Sequence, residues 1–491
     1  MRAHTLRTPA WPLLVGMLSI SIAGCTVGPN YKRPPVTTPD SYRGQALAGG
    51  GGASLADEPW SSVFTDERLQ DLIRTALARN YDLQIAAARI LQAEAQLGIT
   101  RSDQFPSVGA DAGIARQRLA VTPGSDPVTL NLGHAQVSVA WELDFWGRYR
   151  RATESARAQL LATEWGWRAV AATLVSQVAD NYYALRALDL QLEISKRTLA
   201  SRQESLQLTD AREQSGMTSL VDVRQAEQLV HGASAAIAEL EQRITRREDF
   251  ISTLLGNNPG DVSRGRPLVD QAHAPELPAG LPSELLARRP DIQEAEQQLV
   301  AANAEIGVAR ANYFPQISLT GAGGVVSAAL SGLFSGAAGV WTAAASVSQP
   351  VFTAGRTRSQ VALAEARYKE ASLSYLQAIQ EAFREVADAI AGYRGARTVR
   401  EEQELLVHAA EGARALADVR YRGGASCYLE VLDSETRLYV AELALADARL
   451  SESSAYVEFY RALGGGWQTS SANQLPTSGS DQSGRSPGAS Q

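Results

Sequence analysis

Four stretches of the chain alternate apolar and polar residues with a period of two. Val108, Ala110, Ala112 and Ile114 alternate with Ser107, Gly109, Asp111 and Gly113. After a loop around Pro123 to Asp126, Val137, Val139, Trp141 and Leu143 alternate with Gln136, Ser138, Glu142 and Asp144. Ile317 and Leu319 against Ser318 and Thr320, a Gly/Ser/Ala-rich loop, and Trp341 to Phe352 repeat the pattern in a form richer in Ala. Period two predicts strands with one apolar face. Elsewhere the period is helical. From Arg148 to Ser215 no Pro interrupts the pattern, which predicts one helix of about 68 residues, or about 100 Å. Ser215-Gly216-Met217-Thr218 is the one plausible turn before a second helix that ends near Leu255. Leu376, Ile379, Phe383, Val386, Ile390 and Tyr393 are spaced 3, 4, 3, 4, 3, and Val175, Val178, Tyr182 and Leu185 answer them. Heptad spacing of this kind makes a left-handed supercoil against neighbouring helices.

The whole block recurs. Val178-Ala179-Asp180 matches Val386-Ala387-Asp388, Gly216 matches Gly424, and Leu255-Gly256 matches Leu463-Gly464, each 208 residues on. Phe105-Pro106 matches Phe314-Pro315 at 209. The period is far longer than that of solenoid repeats. One architecture built twice therefore spans 65–256 and 291–464, each copy reading helix, two strands, long helix, helix. The first helix runs from Thr65-Asp66-Glu67 to about Thr100. Between the copies, 257–290 is loop-rich with six prolines, and 465–491 is a Gly/Ser/Pro/Gln-rich tail that reads as disordered.

A soluble hairpin with one wet face would explain each strand pair alone. The N-terminus adds a membrane reading. Arg2, His4 and Arg7 precede a short apolar run, Trp11 to Ile22, too short for a stable span. Ile22-Ala23-Gly24-Cys25 follows, so 1–24 reads as a signal peptide whose small residues lead into a lipidated thiol. Cys25 would carry a covalent lipid, and the Pro/Gly-rich 25–64 would be an extended strap. Four strands cannot close a barrel, since the smallest have about eight. An open sheet edge is not viable in lipid. Strands that span a membrane here must be shared among several chains.

Composition removes other classes. Formal charge is −7 in 491 residues, so nucleic acid is excluded as a natural partner. His4, His134, His231, His273 and His408 share no ligand spacing, and no metal site is expected. Gly321-Ala322-Gly323-Gly324 falls in a strand-loop region without the βαβ context a nucleotide needs. No Ser/His/Asp arrangement stands out, and no enzyme or cofactor is expected beyond the lipid on Cys25. Cys427, beside a turn, reads as a small packing residue.

Three runs then point to a family. Cys25-Thr26-Val27-Gly28-Pro29-Asn30-Tyr31, Trp141 to Arg148, and Leu281 to Ile292 with its Leu-Leu-Ala-Arg-Arg-Pro-Asp-Ile core resemble the TolC-like outer-membrane efflux proteins, lipoprotein (NodT-type) branch. Arg79-Asn80-Tyr81-Asp82-Leu83 departs from the family, which usually has Pro before that Asp. The resemblance implies a homotrimer with a twelve-stranded transmembrane β-barrel, four strands per chain, continued by a periplasmic α-helical barrel with a loop-rich belt. It implies an exit duct in the outer membrane that passively conducts small molecules such as drugs. Its partners would be a periplasmic adaptor (membrane fusion protein) and an RND-type inner-membrane pump. By the same resemblance, the turns carrying Gly216, Met217, Thr218 and Gly423, Gly424, Ala425 would be tips that meet the adaptor. Asp210 and Asp418, 208 residues apart, would give a trimer six carboxylates near the narrow end. Rings of acids favour cations and suit a gate, and Arg422, with Arg212 and Arg420, would lock it. A coiled-coil lipoprotein or adaptor, and a lipid-anchored enzyme, are the competing readings; the first does not account for paired strands at matching places in both halves, and the second lacks a catalytic constellation.

Overall fold

An aspartate starts the first main helix. Asp66 caps α1 (Glu67–Arg79) by accepting from the Arg68 N–H at 2.9 Å. Its carboxylate also takes the Tyr182 hydroxyl at 2.7 Å, the Arg266 N–H at 2.9 Å and the Gln271 amide at 3.0 Å. Burial alone would push this carboxyl's pKa up, but the donors outweigh it and hold the carboxyl below its usual range. Its stabilisation is therefore present above about pH 4 and lost as pH falls through the depressed value. Asp66→Asn is expected to flatten the acid limb of a stability-against-pH curve, followed by near-UV circular dichroism; an unchanged limb removes Asp66 from acid unfolding.

The computed structural model describes residues 26–44, 54–119, 126–271 and 278–468. The expected signal peptide, 1–24, and Cys25 lie outside them, as do residues 469–491. In chain order come α1, α2 (Tyr81–Ser102), β1 (Ser107–Leu119), β2 (Val128–Leu143), α3 (Arg148–Gln214), α4 (Leu220–Leu254), α5 (Pro282–Arg288), α6 (Pro290–Ala311), β3 (Gln316–Ser327), β4 (Gly339–Ser348), α7 (Arg356–Arg422) and α8 (Tyr428–Ala462). Two compact units result. One holds Met1–Pro35, Ile90–Thr163 and Ala295–Tyr375, with the sheet. The other holds Val36–Arg89, Glu164–Glu294 and Leu376–Gln491.

The long helices match the periodicity closely: α3 and α7 each run 67 residues. The heptad positions Val175, Val178, Tyr182 and Leu185, and Ile379, Val386, Ile390 and Tyr393, are buried. The early helix differs from expectation. The pattern from 65 to 100 reads as one helix, but the structure breaks it at Asn80, which is extended at φ −60°, ψ 131°. The Asn80 side chain causes the break: its Oδ1 accepts from the Leu83 N–H at 3.1 Å and its Nδ2 donates to the Leu254 carbonyl at 3.0 Å. In the second copy Arg289 is extended between α5 and α6, ahead of Pro290, and its Nη1 donates to the Ala462 carbonyl at 3.0 Å. Leu254 and Ala462 are repeat mates, so two different side chains cap equivalent helix ends.

The sheet unit has the order β1-β2-β3-β4, antiparallel throughout. Its pairing puts Val108, Ala110, Ala112 and Ile114 beside Val139, Val137, Ala135 and Gly133. On the same face lie Leu143, Ile317 and Val347, then Trp141, Leu319 and Ala345, then Gly321 and Ala343, then Gly323 and Trp341. That face is apolar across all four strands. The other carries Asp111, His134, Gln136, Ser138, Ser318, Thr320, Thr342 and Ser346, with His134 Nε2 and Asp111 Oδ1 at 2.8 Å and the Ser318 and Ser346 hydroxyls at 2.7 Å. The Gly321–Gly324 run falls wholly within β3. Strand β4 stops at Ser348 rather than Phe352, because Pro350 has no N–H to offer the ladder. Among the described residues no helix is long and apolar enough to cross a membrane.

Residues 26–33 of the strap and 465–468 after the second copy are held by specific contacts that their composition does not suggest. In the sheet unit Val27 N–H donates to the Trp146 carbonyl at 3.0 Å, and Arg151 Nη2 donates to Asn30 Oδ1 at 2.7 Å. Asn303 Nδ2 donates to the Pro29 carbonyl at 2.9 Å, and the Tyr31 hydroxyl donates to Glu296 Oε1 at 3.1 Å. Arg33 Nε donates to the same Oε1 at 2.7 Å. Burial and then Glu296 raise the Tyr31 hydroxyl well above its ordinary range. In the second unit the chain past Gly464 is not yet tail: Gly465 and Gly466 are buried, and Trp467 packs edge-on to Trp165 at 5.9 Å. Arg168 lies over both rings. A glycine-rich segment with one large aromatic anchor carries no periodic signal, so composition alone reads it as disordered.

Candidate functional site: the hairpin ends

Each pair of long helices, α3 with α4 and α7 with α8, turns through the same backbone geometry. Gly216 has φ +69° and Gly424 φ +72°, the left-handed conformation that glycine adopts without a Cβ penalty. Met217 N–H returns to the Arg212 carbonyl and Ala425 N–H to the Arg420 carbonyl, both at 2.8 Å. These bonds satisfy carbonyls that a helix end leaves free. A Cβ at Gly216 or Gly424 would meet nothing within 4 Å, and Met217 is 71% exposed. The tip residues Gly216, Met217, Thr218, Gly423, Gly424 and Ala425 thus sit on open turns.

The turns start their second helices differently. Asp222 accepts from the Thr218 hydroxyl at 2.5 Å, the Ser219 hydroxyl at 3.0 Å and the Ser219 N–H at 3.1 Å, closing a capping box. The Thr218 bond above all holds its pKa below the usual carboxylate range. At the other tip Cys427 occupies the cap position with no side-chain bond. Cys427 is exposed, not packed: at a helix cap its side chain projects off the end of α8.

Within one chain the charged groups near the tips pair locally. Asp418 pairs with Arg422 at 3.0 Å, one turn along the same helix. Asp210 accepts from Gln214 Nε2 at 2.9 Å, also on its own helix. Arg420 pairs with Glu430 at 3.0 Å, and Arg212 lies over the Tyr421 ring at 4.4 Å. Each arginine therefore has an intrachain partner, and among the described residues none is ion-paired to Asp210. Exposed pairs of this kind are worth about 0–1 kcal/mol, so they are cheap to exchange.

A tyrosine cluster joins the two hairpins near their ends, beside polar links farther along such as Arg197 with Glu442 at 2.5 Å and Gln191 with Asp447 at 2.7 Å. Tyr421 and Tyr428 stand 5.5 Å apart across the turn and pack with Ala226, Ala417 and Val431. Burial pushes the Tyr428 hydroxyl up to about 12. Sequence reading missed this cluster because its members come from three helices and share no period. It also passed over Glu430 and Asp433, which open α8 and line a groove of about 750 Å³ together with Leu406, Ala413 and Val440. Their positions in the first two turns of a helix that follows a glycine turn are the signal in the sequence. No group of three or more metal-ligating side chains occurs among the described residues.

Comparison with known proteins puts this geometry in context. The model of the outer membrane efflux protein family matches twice, at residues 72–257 and 281–465. The chain is 36% identical over 472 residues to the probable efflux pump outer membrane protein TtgC of Pseudomonas putida, covering 94% of this chain and 97% of that one. It is 33% identical over 462 residues to the cation efflux system protein CusC of Escherichia coli, covering 93% and 99%. The open-state structure of the MtrE outer membrane channel of Neisseria gonorrhoeae superposes with a TM-score of 0.82 at 32% identity, covering 90% of this chain and 99% of that one.

Proposed function

The chain belongs to the outer membrane efflux protein family, and on that premise we propose that it passes small organic molecules, drugs among them, passively from a periplasmic adaptor and an RND-type inner-membrane pump to the cell exterior. The protein is an outer-membrane efflux channel, trimeric, and reaches into the periplasm. The observation that carries the channel reading is the four-stranded sheet with an apolar band across one face of all four strands and unpaired edges at β1 and β4. Closing those edges in lipid requires further copies. The duct holds no cofactor and catalyses nothing.

The substrate class stays open to test, because relatives with names as different as toluene efflux and cation efflux match at similar identity. Deleting the gene should raise accumulation of a fluorescent drug-like dye several-fold and leave tolerance of metal cations unchanged; the reverse pattern would replace small organic molecules with metal ions as cargo.

We assign the open tips at Gly216 and Gly424 to the adaptor, and Asp210, Asp418 and Arg422 to the aperture. The weak intrachain pairing of Asp418 supports a gate whose contacts exchange. Asp210→Ala with Asp418→Ala is expected to raise single-channel conductance in planar bilayers, and unchanged conductance at low and high salt removes both from the gate. Cys25 carries the lipid in this reading, so Cys25→Ser should abolish palmitate labelling. A normally labelled mutant refutes the assignment.

A further inference from the structure

The apolar face of the sheet has a definite far end. The chain enters and leaves the sheet from helices at Ser107, Leu143, Gln316 and Ser348. The apolar band on β2 runs from Leu143 to Gly133, eleven residues, the length of a tilted membrane-spanning strand. Beyond it, β1 and β2 continue together without a break in register. Here the two faces exchange polarity. The face that was apolar now carries Arg116 opposite Asn131 and Arg118 opposite Thr129. The face that was polar now carries Ala115 opposite Leu132 and Gln117 opposite Leu130.

Arg116 and Arg118 are both exposed, and among the described residues neither is paired with a carboxylate. They stand on the lipid side of the wall, two and four residues past Ile114, or about 7 and 14 Å along the strand. With the helices on the periplasmic side, that level is the outer leaflet's headgroup layer. We propose that Arg116 and Arg118 form a binding surface for the phosphate-bearing headgroups of outer-leaflet glycolipids, three such pairs per trimer. Guanidinium groups suit the task, since each offers a planar fork of donors that matches two phosphate oxygens. Asn131 and Thr129 add neutral donors at the same levels. A solvated surface loop would not need the two arginines on the face continuous with the apolar band, and the alternation in β1 puts both there.

This inference rests on the membrane-channel reading, and its test separates the two. The full-length trimer in neutral detergent is titrated with bisphosphorylated lipid A, with dephosphorylated lipid A and with inorganic phosphate, and bound lipid is counted by native mass spectrometry. Wild type should retain the bisphosphorylated lipid in preference to the other two probes. Arg116→Gln with Arg118→Gln should bind it about 30-fold more weakly, the loss expected for two basic side chains near an anionic surface. Arg116→Lys with Arg118→Lys should keep most of the binding and shows that the strands still form. Equal affinity in the Gln double variant, or equal retention of dephosphorylated lipid by wild type, overturns the proposal. Failure of the channel reading would instead appear as a chain absent from the outer membrane that forms no heat-modifiable trimer.

Discussion

Replacing Gly307 with valine should release the N-terminal strap and lower the temperature at which the trimer dissociates. Gly307 lies in α6, and a Cβ there would stand 2.7 Å from the Val27 carbonyl oxygen and 2.8 Å from Arg151 Cγ. Its partner across the contact is Gly28, with φ +102°, whose own added Cβ would fall 2.5 Å from Gly307 Cα. Two backbones meet here through two glycines, and neither can yield as a flexible side chain would. Overpacking alone costs about 1–3 kcal/mol. The displacement also pulls apart Arg151–Asn30 and Asn303–Pro29, which depend on the strap lying in register. Limited trypsin digestion at Lys32, with gel mobility of unheated samples, measures the effect. Gly98, where an added Cβ meets nothing within 4 Å, is the control and should tolerate alanine. A Gly307→Val trimer as trypsin-resistant and heat-stable as wild type would show that the strap contributes nothing to the assembly.

The second large effect belongs to Arg289. Its side chain is buried and serves three partners: Asp291 at 2.7 Å, Glu385 at 2.7 Å and the Ala462 carbonyl at 3.0 Å. Arg289→Ala leaves Glu385, itself largely buried, with Arg461 at 4.0 Å as its remaining cation, and uncaps the end of α8. Removing one member of a buried pair costs about 3–5 kcal/mol, and the fractional exposure of Glu385 places the expected loss near the lower value. Lysine should rescue little, because a point charge cannot reach three separated acceptors. The matching change in the first copy, Asn80→Ala, removes only neutral bonds and should cost about 1 kcal/mol. Chemical unfolding of the detergent-solubilised protein, followed by tryptophan fluorescence, ranks the three variants. Equal losses for Asn80→Ala and Arg289→Ala would mean that the cap, not the buried charge, carries the energy.

Periodicity made the strands and the long helices legible. The uninterrupted run from Arg148 bounded α3 to within one residue, since helix formation is local and glycine ends it. The alternation placed all four strands, and the 208-residue offset paired the copies. Contacts between distant residues escaped, because they leave no period. Asn80 breaks a helix by reaching Leu254, which nothing in the stretch around it announces. Pro29, Asn30 and Tyr31 look like linker, yet Asn303, Arg151 and Glu296 hold them. At the hairpin ends the turn glycines were readable, whereas the tyrosine cluster and the helix-starting acids Glu430 and Asp433 needed the fold. The repeat offset pairs Asp210 with Asp418, and within one chain each bonds along its own helix, a contact that the offset does not announce.

The unpaired edges of β1 and β4 have a genetic consequence. In a ring of three, each copy's β1 faces a neighbour's β4, a head-to-tail contact in which every subunit serves two others. An allele that makes no protein leaves the remaining trimers whole. A missense allele that spoils one edge, such as a proline in the middle of β4, is different: its product still assembles through the helices and breaks the wall of any ring it joins. With equal expression of both alleles, only about one ring in eight escapes. Edge mutations should therefore be dominant over wild type in a merodiploid, and null mutations recessive.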